Sequence, residues 1–277
     1  MSDSTFDGPA GVDYDLIEQV NPHYDKLRSA SVALLQCELQ PLIDPKIQGI
    51  LDLNHKCHAI DVLEPGCGTG LTTKKLLDLD HRIRLHAIDH SPSMIKKAAE
   101  YLNLRPIYDW NGTVDYTDSI VRMFGDFTTS SAALLLNSDI QDELALFGDN
   151  YFHAVVSTFM LHDLTERQRN WVIFNLHRVL RPGGIFINAD KMAVNDPVLH
   201  QQQLESRIQK LDLFERLGKP ELKREWLNHY REENQRDTLM TEKAYLGTLE
   251  RTGFQNIETF YRQDMEAIVI ARKGEVR

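Results

Sequence analysis

The chain is poor in cysteine, with three in 277 residues: Cys37, Cys57 and Cys67. Their spacing matches no metal-ligand pattern, and three are too few for a disulfide framework. We therefore expect no metal site and a reducing, cytoplasmic environment. No apolar run approaches the roughly 18 residues that span a bilayer. The first residues have neither the basic region nor the apolar core of a signal peptide. These absences argue against a membrane protein.

Positive charge is also scarce, because 31 Lys and Arg face 41 Asp and Glu, a net charge of −10. This balance argues against a broad nucleic-acid-binding surface, which would normally be basic. The hydrophobic content of 42% is ordinary for a globular protein. We expect a flexible tail and helix start over 1–20 and a single domain over 21–273.

The most informative segment is the glycine-rich turn LEPGCGTG, residues 63–70, between a predicted strand and a predicted helix. Glycine has no Cβ and tolerates positive φ, so the backbone of such a turn can approach a ligand closely. Asp89 follows Gly70 after a second predicted strand. An acid at this place binds the ribose hydroxyls in nucleotide-binding βαβ units.

A nicotinamide dinucleotide is the rival ligand, and two details disfavour it. The third glycine, Gly70, comes one residue too early for the dinucleotide fingerprint. The turn also opens with Glu64, whose charge would repel a pyrophosphate but suits a cationic ligand without phosphate. The alternative is a plain βα turn in which the glycines serve packing alone.

Strands and helices alternate along the chain, which predicts a parallel sheet covered by helices on both faces. A helix over 24–42 follows Asn21-Pro22, and a charged, helix-prone block over 196–236 follows the fifth strand. The last two strands are so close in sequence that they must pair antiparallel. The predicted strands are 58–63, 84–89, 121–127, 151–158, 185–189, 256–261 and 266–271, and the other predicted helices are 70–79, 91–102, 165–180 and 241–253.

The glycine turn, Gly125-Asp126-Phe127 and the Arg181-Pro182-Gly183-Gly184 turn, in this order of elements, resemble class I S-adenosylmethionine (SAM)-dependent methyltransferases. The resemblance covers about 24–273. It implies an α/β, Rossmann-like, seven-stranded mixed sheet with an antiparallel terminal hairpin, an N-terminal helix and a helical lid insertion. It also implies SAM as the cofactor. Two regions, 103–119 and 128–150, are longer than the family usually has.

The resemblance assigns cofactor-binding roles residue by residue. The turn residues would approach the methionine part of SAM, Asp89 the ribose and Asp126 the adenine amino group. For Met94, an equal alternative is a methionine that faces the core. Tyr24 lies on a predicted helix that often folds over the site in this family, and the equal alternative there is a core tyrosine. The implied set is Tyr24, Glu64, Gly66, Cys67, Gly68, Asp89, His90, Met94, Asp126, Phe127 and Thr158.

Residues for the acceptor are predicted from the strand ends and from the inserted block. His162, after the fourth strand, is a candidate general base, with a structural role for a loop-supporting histidine as the alternative. Trp226 and Tyr230 are expected to line a lid over a partly apolar acceptor. Arg231 resembles a lid arginine of tRNA wobble-uridine carboxymethyl-transfer enzymes, although it could equally be solvated between acids.

We therefore predict an enzyme that transfers a methyl group from SAM to a small molecule by in-line displacement. A tRNA-modifying enzyme that uses SAM or carboxy-SAM is the second hypothesis. It is not favoured, because the chain is acidic. A SAM-binding protein without catalysis is the third.

Overall fold

The computed structural model describes residues 11, 13–43, 59–104 and 132–275. The predicted strand over 121–127, with Asp126 and Phe127, lies outside these ranges. The described part contains a seven-stranded sheet in the order β3-β2-β1-β4-β5-β7-β6. The strands are β1 (Ile60–Pro65), β2 (Ile83–Asp89), β3 (Ala132–Asn137), β4 (Phe152–Thr158), β5 (Leu180–Lys191), β6 (Phe254–Gln263) and β7 (Glu266–Lys273).

The sheet has the predicted mixed topology. Strands β1 to β5 pair in parallel, and β7 pairs antiparallel with both β5 and β6. The terminal hairpin and its insertion beside β5 are thus confirmed. Arg181 to Gly184 lie within β5 rather than before it, at a register shift between β4 and β5.

Helices cover both faces of the sheet, as the alternating pattern predicts. One apolar cluster contains the N-terminal helix α2 and the buried face of the inserted block, and the other contains α6 and α10. The helices are α1 (Ile17–Val20), α2 (His23–Ile43), α3 (Leu71–Leu77), α4 (Pro92–Tyr101), α5 (Ile140–Leu146), α6 (Glu166–Val179), α7 (Pro197–Lys210), α8 (Asp212–Arg216), α9 (Pro220–Glu233) and α10 (Glu242–Thr252).

Local sequence signals explain most helix ends. Ser91 caps α4 with Pro92 in the first turn, and Thr165 forms a capping box with Gln168 at the start of α6. Gly253 ends α10 in the left-handed conformation, with φ of 103°. Helix α2 begins at His23, one residue after Pro22.

The strand beside β2 is the main correction to the predicted elements. The leucine-rich stretch predicted to be a loop insertion over 128–150 contains β3 and α5. Residues Arg84 to Asp89 of β2 pair in register with Ala132 to Asn137. The strand that pairs with β2 is therefore formed by Ala132–Asn137, downstream of the predicted strand over 121–127. Among the described helices, none is long and apolar enough to cross a membrane.

Candidate active site

A cavity of about 650 Å³ lies at the carboxyl edge of the parallel strands. Its walls include the segments that follow β1, β2, β3 and β4, which are 66–69, 89–90, 138–141 and 158–160. Ligands of open α/β sheets bind at this edge, because successive loops leave a crevice there. Of the predicted cofactor residues in the described ranges, the cavity contains Gly66, Cys67, Gly68, Asp89, His90, Met94 and Thr158.

The glycine turn is shaped for close approach. Gly66 has φ of 72°, and a Cβ there would lie 2.4 Å from Met160 Cγ, so a side chain does not fit. Gly68 has φ of 53°, and a Cβ there would meet no atom within 4 Å. Gly66 is therefore needed for packing, whereas Gly68 leaves free space beside its backbone. Burial raises the pKa of the Cys67 thiol, which keeps it neutral.

Asp89 is fixed by the turn that it faces. Its Oδ2 accepts a hydrogen bond from Gly68 N and its Oδ1 one from Ser91 N, both at 2.9 Å. A carboxylate has about four acceptor positions, so both oxygens can still accept hydroxyl donors from a ligand. Burial raises the pKa of Asp89, and the two backbone donors oppose that rise.

Glu64 lies beneath the turn, fully buried, and is not part of the cavity wall. Thr73 Oγ1 donates to its Oε2 at 2.7 Å, while Oε1 has no hydrogen-bond partner among the described residues. Burial raises the pKa of Glu64 from 4.5 to about 8. The sequence predicts a charged acid at this position. Near neutral pH, however, Glu64 is mostly protonated, and a nearby cation would lower its pKa.

The N-terminal segment covers the cavity with a different tyrosine from the one predicted. Tyr14 and Arg28 line the cavity. Tyr24 does not, because it is buried against Phe159 with 4.2 Å between ring centroids, and its hydroxyl accepts a hydrogen bond from Arg207 at 2.8 Å. In the structure Tyr24 is a core tyrosine, which is the alternative to a cofactor-binding role. Thr69 Oγ1 donates to Asp15 Oδ1 at 2.9 Å, which ties this segment to the glycine turn.

One part of the cavity wall is formed by residues that the sequence did not indicate. Ser138, Asp139, Ile140 and Gln141 follow β3 and line the wall. Asp139 caps α5 by accepting from Gln141 N at 2.7 Å. Since β3 lies after residue 131, Asp139 holds the strand-end position for which the sequence indicated Asp126.

His90 and Met94 also line the cavity. The His90 side chain is 60% exposed at the rim, whereas Met94 is almost completely buried with part of its surface on the cavity. Thr158 closes the floor, with its Oγ1 2.9 Å from Thr72 Oγ1.

His162 belongs to a polar cluster beside the cavity, which consists of His162, Asp163, Asp190, Lys191, His229 and Glu233. His162 Nδ1 lies 2.5 Å from Asp190 Oδ1, and its Nε2 lies 3.0 Å from Asp163 Oδ1 and 3.5 Å from Glu233 Oε1. His229 Nε2 lies 2.6 Å from Glu233 Oε1, which also contacts Lys191 Nζ. Asp163, His229 and Glu233 line the cavity, and His162 lies behind them.

The ionisable groups of the polar cluster shift one another's pKa values. Burial opposes the protonated imidazole of His162, but Asp163, Asp190 and Glu233 outweigh it and raise the pKa well above the usual value. Burial likewise opposes ionisation of Asp163 and Glu233, and their cationic neighbours nevertheless lower both pKa values. A raised pKa favours the protonated imidazole and so disfavours proton abstraction by His162, whose role as a general base stays a prediction.

The predicted lid aromatics are part of the core. Trp226 is 2% and Tyr230 1% exposed, in the cluster that packs against the sheet. Neither lines the cavity, because α9 turns its apolar face inward and presents His229, Glu232 and Glu233 to the site. Arg231 also lies outside the cavity, and it donates to Asn228 Oδ1 at 3.2 Å. The block therefore contributes polar rather than aromatic residues to the cavity.

Comparison with known families gives one matching domain. The profile of a family described as a methyltransferase domain matches residues 63–188, which extend from the end of β1 to the middle of β5. The match contains the glycine turn, Asp89 and the loop with His162, but not the inserted block.

Individual proteins extend this similarity. The chain is 24% identical over 278 residues to a carboxy-S-adenosyl-L-methionine synthase of Campylobacter fetus, covering 99% of this chain and 100% of the relative. It is 46% identical over 54 residues to a malonyl-[acyl-carrier protein] O-methyltransferase of Acetivibrio thermocellus, or 20% of this chain and 19% of the relative. A solved SAM-dependent methyltransferase from Methanosarcina mazei shares the fold, with a TM-score of 0.50 and 15% identity over 84% of this chain and 99% of that chain.

Proposed function

Because the chain belongs to the class I SAM-dependent methyltransferases, with SAM as cofactor, we propose that it methylates a small molecule held in the same cavity. The observation that supports this proposal is that two unlike groups of residues line one cavity. The glycine turn and Asp89 form the first group, which we name the cofactor end, and Asp163, His229 and Glu233 of the polar cluster form the second, which we name the acceptor end.

The residues present fit the cofactor. Gly68 leaves the space beside its backbone open, and both oxygens of Asp89 retain acceptor capacity for the ribose hydroxyls. We assign Gly66, Cys67 and Gly68 to the methionine part, with Glu64 beneath them, and Asp139 with His90 and Met94 to the adenine. When bound, SAM supplies an electrophilic methyl group that an acceptor takes by in-line displacement of the sulfonium.

The chain's own residues hold the acceptor and exclude water. Tyr14 and Arg28 close the cavity from the N-terminal side, while Thr158 and Phe159 form its floor. His229 and Glu233 provide polar groups that can orient an acceptor or take its proton, since each lies at the wall. His162 positions Asp163 and Glu233 from behind.

A small acceptor is favoured over tRNA by the charge of the cavity. Asp89, Asp139, Asp163, Glu232 and Glu233 line it. Such a surface repels a phosphate backbone. It accommodates a cation or a neutral molecule instead.

A second candidate follows from the full-length similarity to the carboxy-SAM synthase. In this alternative the chain transfers a carboxyl group from a second, carboxyl-donating substrate to a carbon of SAM, which loses a proton in exchange. Arg28 is the arginine that lines the described part of the cavity and would have to meet the added carboxylate. The two functions differ in their product, which mass spectrometry of the nucleoside fraction identifies.

The deciding experiment combines binding with product analysis. Calorimetric titration is expected to show binding of SAM and S-adenosylhomocysteine and none of NAD. Methyl-labelled SAM incubated with fractionated cell extract is expected to label small metabolites. Label in RNA would support the tRNA hypothesis, carboxylated SAM would support the synthase, and binding without any product would indicate a non-catalytic protein.

The acceptor end is tested by His229→Gln, with His81→Gln as the matched control at an exposed histidine beside an aspartate. We expect His229→Gln to lower methyl transfer at least tenfold while SAM affinity stays within about twofold of the parent. Equal loss of both properties would contradict the separation of the two ends.

A further inference from the structure

Four side chains of the polar cluster converge as metal ligands do. His162 Nε2, Asp163 Oδ1, His229 Nε2 and Glu233 Oε1 each offer one atom, and a ligand atom from each lies within 4.8 Å of the others. We propose that these four residues bind a divalent first-row transition-metal ion, represented by Zn²⁺.

The spacing of the four atoms suits such an ion. Both His162 Nε2–Glu233 Oε1 and His229 Nε2–Asp163 Oδ1 are 3.5 Å, His162 Nε2–Asp163 Oδ1 is 3.0 Å and His229 Nε2–Glu233 Oε1 is 2.6 Å. A tetrahedral ion with bonds of about 2.1 Å separates its ligands by roughly 3.4 Å. Small side-chain adjustments therefore admit the ion between the two histidines and the two carboxylates.

Asp190 supplies the support that metal-bound histidines have. It lies within hydrogen-bond distance of His162 Nδ1, opposite the ring nitrogen that faces the cluster. Leu161 N and Lys191 N donate to Asp190 at 3.0 and 2.8 Å, which fixes the carboxylate in turn. A carboxylate on the second ring nitrogen orients a ligating imidazole and increases its basicity.

The charges of the cluster leave room for a cation. Among the described residues, Asp163 pairs with the imidazoles of His162 and His229, and Asp190 pairs with His162. Glu233 additionally pairs with Lys191. Arg169 lies nearby but donates to the backbone carbonyls of Leu161, Leu164 and Thr238. If the imidazoles are neutral ligands, a divalent ion supplies the positive charge that these buried carboxylates require.

The donor set selects the kind of metal. Two imidazoles with two carboxylates suit Zn²⁺ and its first-row neighbours, whereas Mg²⁺ and Ca²⁺ prefer sites made of oxygen atoms. Sequence spacing does not indicate this site, because its ligands come from the 3₁₀ turn Leu161–Asp163 and from α9 and lie more than 60 residues apart in the chain.

The place of the ion indicates its use. Asp163, His229 and Glu233 line the cavity that also contains the glycine turn. A bound ion can therefore take an oxygen atom of the acceptor as a further ligand. This step rests on the proposed methyl transfer, and it identifies the acceptor class as a small molecule with a metal-coordinating hydroxyl or carboxylate oxygen.

Metal binding is measured first without SAM or acceptor. The full chain is stripped with a chelator, dialysed and titrated with Zn²⁺ against a chromophoric competitor, and Co²⁺ is added separately for its visible absorption. We expect one equivalent of Zn²⁺ and intense Co²⁺ bands typical of four-coordination. Less than a tenth of an equivalent of either ion would overturn the proposal, whatever the variants show.

His229→Ala and Asp163→Ala each remove one proposed metal ligand. Asp190→Asn tests the carboxylate that orients His162. We expect at least a 100-fold loss of Zn²⁺ affinity for the first two and a 10- to 100-fold loss for the third. His81→Ala, beside Asp80 at 3.7 Å, serves as the control and should bind like the parent. Parent-like affinity in His229→Ala with an unchanged circular dichroism spectrum would also overturn the site.

Measurements of methyl transfer then distinguish the proposed metal site from the proposed methyltransferase function. Chelation is expected to remove methyl transfer and to leave SAM binding intact, with recovery on adding Zn²⁺, Mn²⁺ or Co²⁺. Methyl transfer that persists in metal-free protein would overturn the metal's role and preserve the proposed function. Stoichiometric metal binding without any methyl transfer would overturn the proposed function and preserve the metal site.

Discussion

The two ends of the cavity are built in opposite ways. At the cofactor end, the glycine turn and Asp89 belong to one βαβ unit between Ile60 and Asp89, and backbone groups determine the shape. At the acceptor end, the polar cluster combines side chains from a 3₁₀ turn, β5 and α9. We expect the first end to discriminate ligands by how closely a backbone can approach them, and the second by charge.

This difference separates the effects that substitutions should have. A change at the cofactor end alters a surface formed by local geometry, so it should act on SAM affinity. A change in the polar cluster removes one of several mutually compensating charges, so it should act on the chemistry of the acceptor. The predictions below test this separation.

The largest effect is expected on the apolar face of α9, which belongs to neither end. Trp226→Ala removes a side chain that is 2% exposed, and we expect unfolding to become about 3–5 kcal/mol easier. SAM affinity of the folded fraction should stay unchanged. Urea denaturation measures the first quantity and calorimetry the second, with Phe174→Ala, 58% exposed, as the control. A selective loss of methyl transfer in a stable Trp226→Ala protein would restore the lid interpretation.

Asp89→Ala should produce the largest change in SAM binding. Two charge-assisted hydrogen bonds to the ribose contribute about 1.5–3 kcal/mol each, so SAM affinity should fall by two orders of magnitude or more. The fold should persist, because Asp89 ends β2 at the cavity edge. Calorimetric titration measures the loss, and Asp78→Ala, at the exposed end of α3, provides the control. Unchanged affinity in a folded protein would mean that the cofactor lies elsewhere.

Glu64→Gln tests the buried acid beneath the glycine turn through the pH dependence of stability. The raised pKa, about 8 against an ordinary 4.5, means that the folded chain holds a proton that the unfolded chain releases. Stability of the parent is therefore highest below pH 4.5 as far as Glu64 is concerned, and falls as pH rises toward 8, by up to about 1.4 kcal/mol per pH unit. Glutamine cannot ionise, so the variant should lose this slope. Denaturation midpoints between pH 5 and 8 measure the difference, and parallel curves would contradict it.

The smallest effect is expected from the variant that tests which acid, Asp139 or Asp126, binds the adenine. Asp139→Ala removes a carboxylate at the cavity wall and should weaken SAM binding by about 1.4 kcal/mol, or tenfold. Loss of the cap on α5 should lower stability by about 1 kcal/mol. Asp126→Ala, the choice made from sequence, is the paired variant, and a larger loss of affinity there than at Asp139 would restore it.

The sequence predicted the cofactor end well because its signals are local. Strands β1 and β2, the turn between them and the acid at Asp89 follow from residue order alone. The strand over 132–137 does not follow from local signals, because its place in the sheet depends on pairing with β2, and the predicted strand over 121–127 lies outside the described residues. The polar cluster was missed because His162 and His229 become neighbours only after α9 packs against the sheet. Trp226 and Tyr230 were misread because an aromatic stripe on a helix fits a lid and a core equally well.

The hydrogen bond between Thr69 and Asp15 has a kinetic consequence. It joins the glycine turn to a segment that carries Tyr14 over the cavity, and Lys219 of the inserted block holds the same segment through Asp13. We expect a molecule in the cavity to exchange with solvent faster when these contacts are weakened. Thr69→Val, which removes one of them, should therefore shorten the residence time of a bound molecule.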